Sequence, residues 1–231
     1  VSSKEVVAAI LEGGECHAMF MDWLSSVADF LLSLKDSDGN VVPVIFRPWH
    51  EHTGSWFWWG RDLCTEEEYN ALWVMTWNYL AVERGIDALW TISPGRTNLE
   101  EWTARYPGDE YVDIIGVDNY FGRGADESKE DAYARYIENT HACFDLLAPA
   151  AAERGKLLAL TETGCEGLPY DDWWTNALMP AIEGYPVSYV LTWRNAPASF
   201  NPKHFYAPFP GQESADDFVT FFESDKTVFL D

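Results

Sequence analysis

Two glutamates stand where they could do chemistry together. Glu51 lies in Arg47-Pro48-Trp49-His50-Glu51-His52-Thr53-Gly54-Ser55-Trp56-Phe57-Trp58-Trp59-Gly60, and Glu162 in Thr161-Glu162-Thr163-Gly164. Each follows a short apolar run, Val41–Phe46 before the first and Leu157–Leu160 before the second, so each is expected where a buried strand ends. Carboxyl groups at strand ends among tryptophans suit glycosidic bond cleavage. That reaction needs one group to protonate the leaving oxygen and another to attack or stabilise the anomeric carbon. The flat C–H faces of sugars pack on indole rings, while their hydroxyls need polar partners.

The elements that must position these residues alternate between helix and strand. Phe20, Trp23, Leu24, Val27, Phe30, Leu31 and Leu34 recur at helical spacing and predict a helix over 17–36. Thr65-Glu66-Glu67-Glu68 reads as a capping box opening a helix that runs to about Arg84 and stops at Gly85. Further helices are expected over 128–153, with an irregularity at Pro149, over 170–182, and from Ser214 after a proline-rich loop at 197–210. Strands are expected at 41–46, 87–92, 112–117, 157–161 and 187–192. Continuous apolar strands separated by helices predict a parallel sheet covered on both faces. Glu51, Asp118 with Tyr120, Glu162 and Trp193 each follow a strand, the arrangement of a (β/α)8 TIM barrel with its site at the C-terminal rim. A doubly wound sheet lacks support, because Gly122-Arg123-Gly124 has no third glycine.

Five strands do not close a barrel of eight. The expectation is a single catalytic barrel domain over 1–231 that covers strands 4 to 8. Roughly three strand–helix units, about 100 residues, would precede Val1 in the parent protein. No signal peptide is visible, and the first residue is not methionine, so an upstream segment is expected to have been removed or to lie outside this sequence.

The 231 residues are 47% hydrophobic, enough for a large core. Against 15 Lys and Arg stand 38 Asp and Glu, a net charge of −23 that repels phosphate backbones, so no nucleic-acid partner is expected. A neutral polysaccharide is not repelled. No apolar run reaches the length of a membrane span. The four cysteines form no C-x-x-C pair and are read as buried free thiols, with a disulfide as the alternative. His50-Glu51-His52 lacks the H-E-x-x-H pattern and a third ligand cluster, so no metal is expected. His17, His141 and His204 read as structural or surface residues, Glu166 as a solvated loop carboxylate, and the tryptophans as mostly core.

The two signatures, with Asp118-Asn119-Tyr120 between them, resemble glycoside hydrolase family 26, most of whose members are β-1,4-mannanases. The resemblance implies a (β/α)8 barrel whose acid/base glutamate ends strand four and whose nucleophile ends strand seven. That agrees with Glu51 after the first readable strand and Glu162 after the fourth. It implies Glu51 as general acid/base, Glu162 as nucleophile and retention of anomeric configuration through a covalent glycosyl intermediate. His50 would organise the active centre, Tyr120 would hydrogen-bond the nucleophile, and Asp118 would line the same rim. Trp56 would stack on a sugar on the leaving-group side and Trp193 on the sugar at the cleavage point, with Arg194 a further contact. Trp58 and Trp59 stand between core and cleft, and Trp59 is carried as a substrate contact. His52, Thr53 and Ser55 occupy variable positions of the motif and carry little information. The implied activity is endo-β-1,4-mannanase on mannan, glucomannan or galactomannan. The alternatives are a β-1,3-1,4-glucanase or β-1,3-xylanase on the same scaffold, or a non-catalytic carbohydrate-binding protein. No cofactor is needed, the partner is the polysaccharide alone, and the protein is expected to be a monomer. A polymer too large to enter cells implies a secreted, cell-surface or periplasmic location.

Overall fold

A computed structural model describes residues 3–197 and 199–229. Position 198 of the proline-rich loop, and the first two and last two residues of the expected 1–231 domain, lie outside the described residues. The elements run in the order α1 (Val6–Ile10), α2 (His17–Ser33), β1 (Val44–Phe46), α3 (Glu66–Trp77), β2 (Ala88–Ile92), α4 (Leu99–Ala104), β3 (Ile114–Tyr120), α5 (Lys129–Arg154), β4 (Leu157–Gly164), α6 (Met179–Ile182), β5 (Val187–Thr192) and α7 (Ala215–Phe222). The strands form a five-stranded sheet in chain order, β1-β2-β3-β4-β5. Its registers are parallel where Val44 meets Ala88, Thr91 meets Ile114, and Leu158 meets Val187. The parallel α/β character read from the sequence is therefore present.

The chain divides into two compact units. The first comprises Val1–Gly116 with Ala151–Leu157, and so holds β1, β2 and the start of β3. Its core is Tyr69, Leu72, Trp73 and Leu80 from the α3 region, Ile92 and Ile114 from the sheet, and Trp102 from α4. The second comprises Val117–Ala150 with Leu158–Asp231, and holds the rest of β3, then β4 and β5. Tyr136 and Phe144 of α5 and the adjacent Trp173 and Trp174 fill its interior.

Local chemistry explains where the elements start and stop. The capping box forms as written: the Glu68 amide donates to Thr65 Oγ1 at 3.1 Å and the Thr65 amide to Glu68 Oε2 at 2.8 Å. The helix widens into π turns over Asn78–Glu83 and stops at Gly85, whose φ of 65° is left-handed. The first strand is shorter than expected. Pro43 cannot donate to a ladder, and Val41 only bridges Lys35. β3 and β4 are longer than expected, so Asp118, Tyr120 and Glu162 lie inside strands rather than beyond them. Of the helix expected over 170–182, only Trp174–Leu178, in π geometry, and α6 form. The Trp174 and Thr175 amides there donate to the Asp217 carboxylate at 2.8 and 3.2 Å, which caps the start from α7. α5 continues through Pro149 instead of breaking there.

The four cysteines are thiols, three of them buried and Cys16 half-buried. Tryptophan is less uniformly core than expected. Trp73, Trp90, Trp102, Trp173 and Trp174 are buried, but Trp23 and Trp56 are exposed, and Trp49, Trp58, Trp59, Trp77 and Trp193 are half-buried. Among the described residues no helix is long and apolar enough to cross a membrane.

Candidate active site

Each unit carries one of the two glutamates. In the first unit Glu51 sits on the loop after β1, in backbone that side chains rarely adopt. Trp49 and Glu51 have φ of 51° and 52°. A left-handed residue other than glycine costs about 1–2 kcal/mol, and such strain persists only where surrounding contacts enforce it. Those contacts tie down successive peptide groups. Tyr69 donates its hydroxyl to the Trp49 carbonyl at 3.1 Å, and the Trp59 indole donates to the His50 carbonyl at 2.7 Å. The Glu51 amide donates to the Ser93 carbonyl at 2.7 Å, and the Glu51 carbonyl accepts from the Gly54 amide at 2.9 Å. Ser93, just beyond β2, also accepts from Arg47 Nη1 through its hydroxyl at 3.1 Å.

Aromatic side chains wall this loop. Phe57 and Trp59 stack in parallel with centroids 4.5 Å apart, and His50 lies against Phe57 at 4.8 Å. Trp49 contacts Trp58 and Trp59 edge-on. Trp59 thus holds His50 in place. Trp56 is 60% exposed, so its ring face is open to a flat ligand. Its indole N–H donates to Glu51 Oε2 at 2.7 Å. The Trp56 ring lies close over Gly54, where a Cβ would stand 2.2 Å from it, so a side chain there would displace the indole.

His52 was read as uninformative, and the structure corrects this. It is 0% exposed, and its Nδ1 lies 2.9 Å from the Tyr69 hydroxyl. Burial, and then the Arg105 charge, lower its pKa to about 3.

In the second unit β4 carries Glu162, only 5% exposed. Tyr120 of β3 donates its hydroxyl to Glu162 Oε1 at 2.5 Å. Burial and then this bond push the Tyr120 phenol well above its usual pKa, so it remains a donor. The register of β4 against β5 shifts between Leu160 and Thr163, on either side of Glu162. Such irregularities re-aim a side chain. Asp118 is buried and accepts from the Thr161 hydroxyl at 2.7 Å, so its visible role is to tie β3 to β4 beside Glu162. Asn119 instead binds Thr140 of α5.

Gly164 has φ of 155°, and a Cβ there would lie 2.4 Å from Tyr206 Cδ1. Tyr206 stands edge-on to Tyr120 at 5.8 Å and is held by Asn195, whose Oδ1 accepts from the Tyr206 and Ala207 amides. No pattern in the sequence marks Tyr206 or Ser93, which reach their sites through loops. Trp193 follows β5, its amide donating to the Thr163 carbonyl at 2.9 Å. The exposed Arg194 guanidinium lies 5.8 Å from both the Trp193 and Phe200 rings. Glu166 is exposed as expected but pairs with His204 at 2.8 Å. His17 and His141 bond the carbonyls of Ile10 and Pro180, which are structural roles.

Comparison with known proteins gives one family and consistent relatives. The family model described as glycosyl hydrolase family 26 matches residues 2–182. A mannan endo-1,4-beta-mannosidase of Bifidobacterium adolescentis is 32% identical over 96% of this chain, which spans 23% of that protein. One from Bacillus subtilis is 37% identical over 57% of this chain and 34% of its own length. Among solved structures, a GH26 beta-mannanase from Bacteroides ovatus superposes with a TM-score of 0.90 at 47% identity, covering 99% of this chain and 64% of that one. A modular endo-beta-1,4-mannanase from Cellulomonas fimi gives 0.84 at 31% identity, covering 99% and 51%. The chain therefore spans less than two thirds of the relatives it matches.

Proposed function

Because the chain belongs to glycosyl hydrolase family 26, we propose that it hydrolyses β-1,4-mannosidic bonds in mannan, glucomannan or galactomannan, with Glu162 as nucleophile and Glu51 as acid/base. In the first step a Glu162 carboxylate oxygen bonds to the anomeric carbon. The bond from that carbon to the leaving oxygen breaks, and the leaving oxygen takes the Glu51 proton. In the second step a water oxygen attacks the same carbon, its proton passes to Glu51, and the Glu162 carboxylate is released. Two inversions retain the configuration. The observation that carries the reading is the buried Glu162 accepting a hydroxyl proton from Tyr120. A buried carboxylate is costly unless hydrogen-bonded, and here its donor cannot ionise near neutral pH. His50 and Trp59 shape the loop that presents Glu51. Trp56 and Trp193 offer ring faces to sugars, Arg194 offers polar contacts, and Asp118 steadies the strands.

The five strands are read as strands 4 to 8 of one catalytic (β/α)8 domain over 1–231. The family match and the chain's coverage of its structural neighbours support this. The protein is read as a monomer. A polymer too large to enter cells supports a secreted, cell-surface or periplasmic location.

An activated 2-deoxy-2-fluoro mannoside should form a long-lived adduct, located by mass spectrometry on the peptide containing Glu162 and absent from Glu162→Ala. A label on another carboxylate, in a protein that turns over mannan, would contradict the assignment.

A further inference from the structure

The loop that presents Glu51 rests on a buried pair that none of the roles above accounts for. His52 and Tyr69 are both 0% exposed, with ring centroids 4.5 Å apart. The Tyr69 hydroxyl has one proton and two close partners, the Trp49 carbonyl at 3.1 Å and His52 Nδ1 at 2.9 Å. The hydroxyl proton points to the Trp49 carbonyl in the 3.1 Å bond. In that arrangement the hydroxyl oxygen accepts from His52, in its neutral tautomer protonated on Nδ1. Nε2 is left as a bare lone pair, and it has no hydrogen-bond partner. Arg105 favours this neutral form. It is buried, lies 5.4 Å from the Tyr69 ring centre, and donates to the Arg61 and Cys64 carbonyls. The relay therefore runs one way: His52 Nδ1–H to Tyr69, and Tyr69 O–H to the carbonyl of left-handed Trp49.

We propose that His52 and Tyr69 are positioning residues for the acid/base glutamate: their buried relay fixes the left-handed Trp49–Glu51 turn and so sets where the Glu51 carboxyl points. This rests on Glu51 being the general acid. His52 is covalently next to Glu51, and the Trp49 carbonyl opens the peptide that leads to His50. A change in either member alters two anchors of the same turn. The relay touches no reacting atom. Its loss should weaken proton donation to the leaving group while leaving attack by Glu162 intact.

The test compares two leaving groups in the full chain. A manno-oligosaccharide needs protonation of its leaving oxygen, whereas a 2,4-dinitrophenyl β-mannobioside does not. Tyr69→Phe keeps the ring and removes the relay proton. It should lower kcat/KM on the oligosaccharide by about 10- to 100-fold, the scale of a small misplacement of a catalytic group. On the aryl glycoside the change should stay within about 2-fold, because a good leaving group departs without acid help. His52→Leu should behave alike, and His52→Asn, whose amide can donate to Tyr69, should recover most of the loss. Equal losses on both substrates, or no loss on either, would overturn the proposal. If Tyr69→Phe does not fold, the contrast between His52→Leu and His52→Asn decides. Glu51→Ala is run beside them: if it lacks the leaving-group dependence, the acid/base assignment fails, a result separate from that for the relay.

Discussion

Tyr120 donates a short hydrogen bond to the buried Glu162, and under the proposed mechanism that contact predicts a kinetic effect. Hydrogen bonds to a charged group contribute about 1.5–3 kcal/mol, so Tyr120→Phe should cut kcat on manno-oligosaccharides by roughly 10- to 150-fold without changing the circular dichroism spectrum. A change within 2-fold would remove Tyr120 from the machinery. His52 predicts an effect on stability. Its folded pKa is depressed to about 3 by burial and by Arg105, with a smaller effect of His50, against 6.5 when unfolded. The unfolded chain therefore binds a proton that the folded one refuses. The stabilisation is present above about pH 6.5 and is lost as pH falls toward 3, at up to about 1.4 kcal/mol per pH unit. Urea midpoints at pH 7, 5.5 and 4 should fall more steeply for the natural protein than for His52→Gln, and equal slopes would contradict the burial. Glu51, Glu162 and Tyr120 stand out in the sequence because they sit in motifs, and the structure adds the Tyr120–Glu162 bond. His52 does not stand out: its importance lies in a partner 17 residues away, brought near by folding.

At the scale of elements, Gly164 shows how a motif glycine holds a strand end. Its backbone has φ of 155° and Tyr206 lies where a Cβ would go. Gly164→Ala should destabilise by about 1–3 kcal/mol, lowering the melting temperature by several degrees at about 2–4 °C per kcal/mol. It should also reduce activity through Tyr206, which packs on Tyr120. An unchanged melting temperature would mean that Tyr206 yields without cost. All five strands were legible as apolar runs, although Ile45, Leu89, Leu157 and Leu191 on them are exposed rather than covered. The strand ends were not legible. Asp118-Asn119-Tyr120 and Glu162-Thr163-Gly164 look like loop residues, yet they extend β3 and β4, with Asp118 held by Thr161, and Asn119 and Thr163 bonded to α5. α4 was missed although Asn98 three residues before Glu101 carries a cap signal: the Glu101 amide donates to Asn98 Oδ1 at 3.0 Å. The start of the helix before α6 was misplaced, because its cap, Asp217, is distant in sequence.

For the whole molecule, the net charge of −23 suits a protein that works on a neutral polymer and stays dispersed. Family membership, two glutamates set in different local frames, and an exposed indole face are the grounds of the proposed activity. The most direct test is reducing-sugar release from galactomannan, glucomannan, lichenan and β-1,3-xylan, with Glu162→Ala in parallel. Release from the mannans alone, lost in the variant, is the predicted result. Release that survives Glu162→Ala, or release confined to lichenan or xylan, would contradict it.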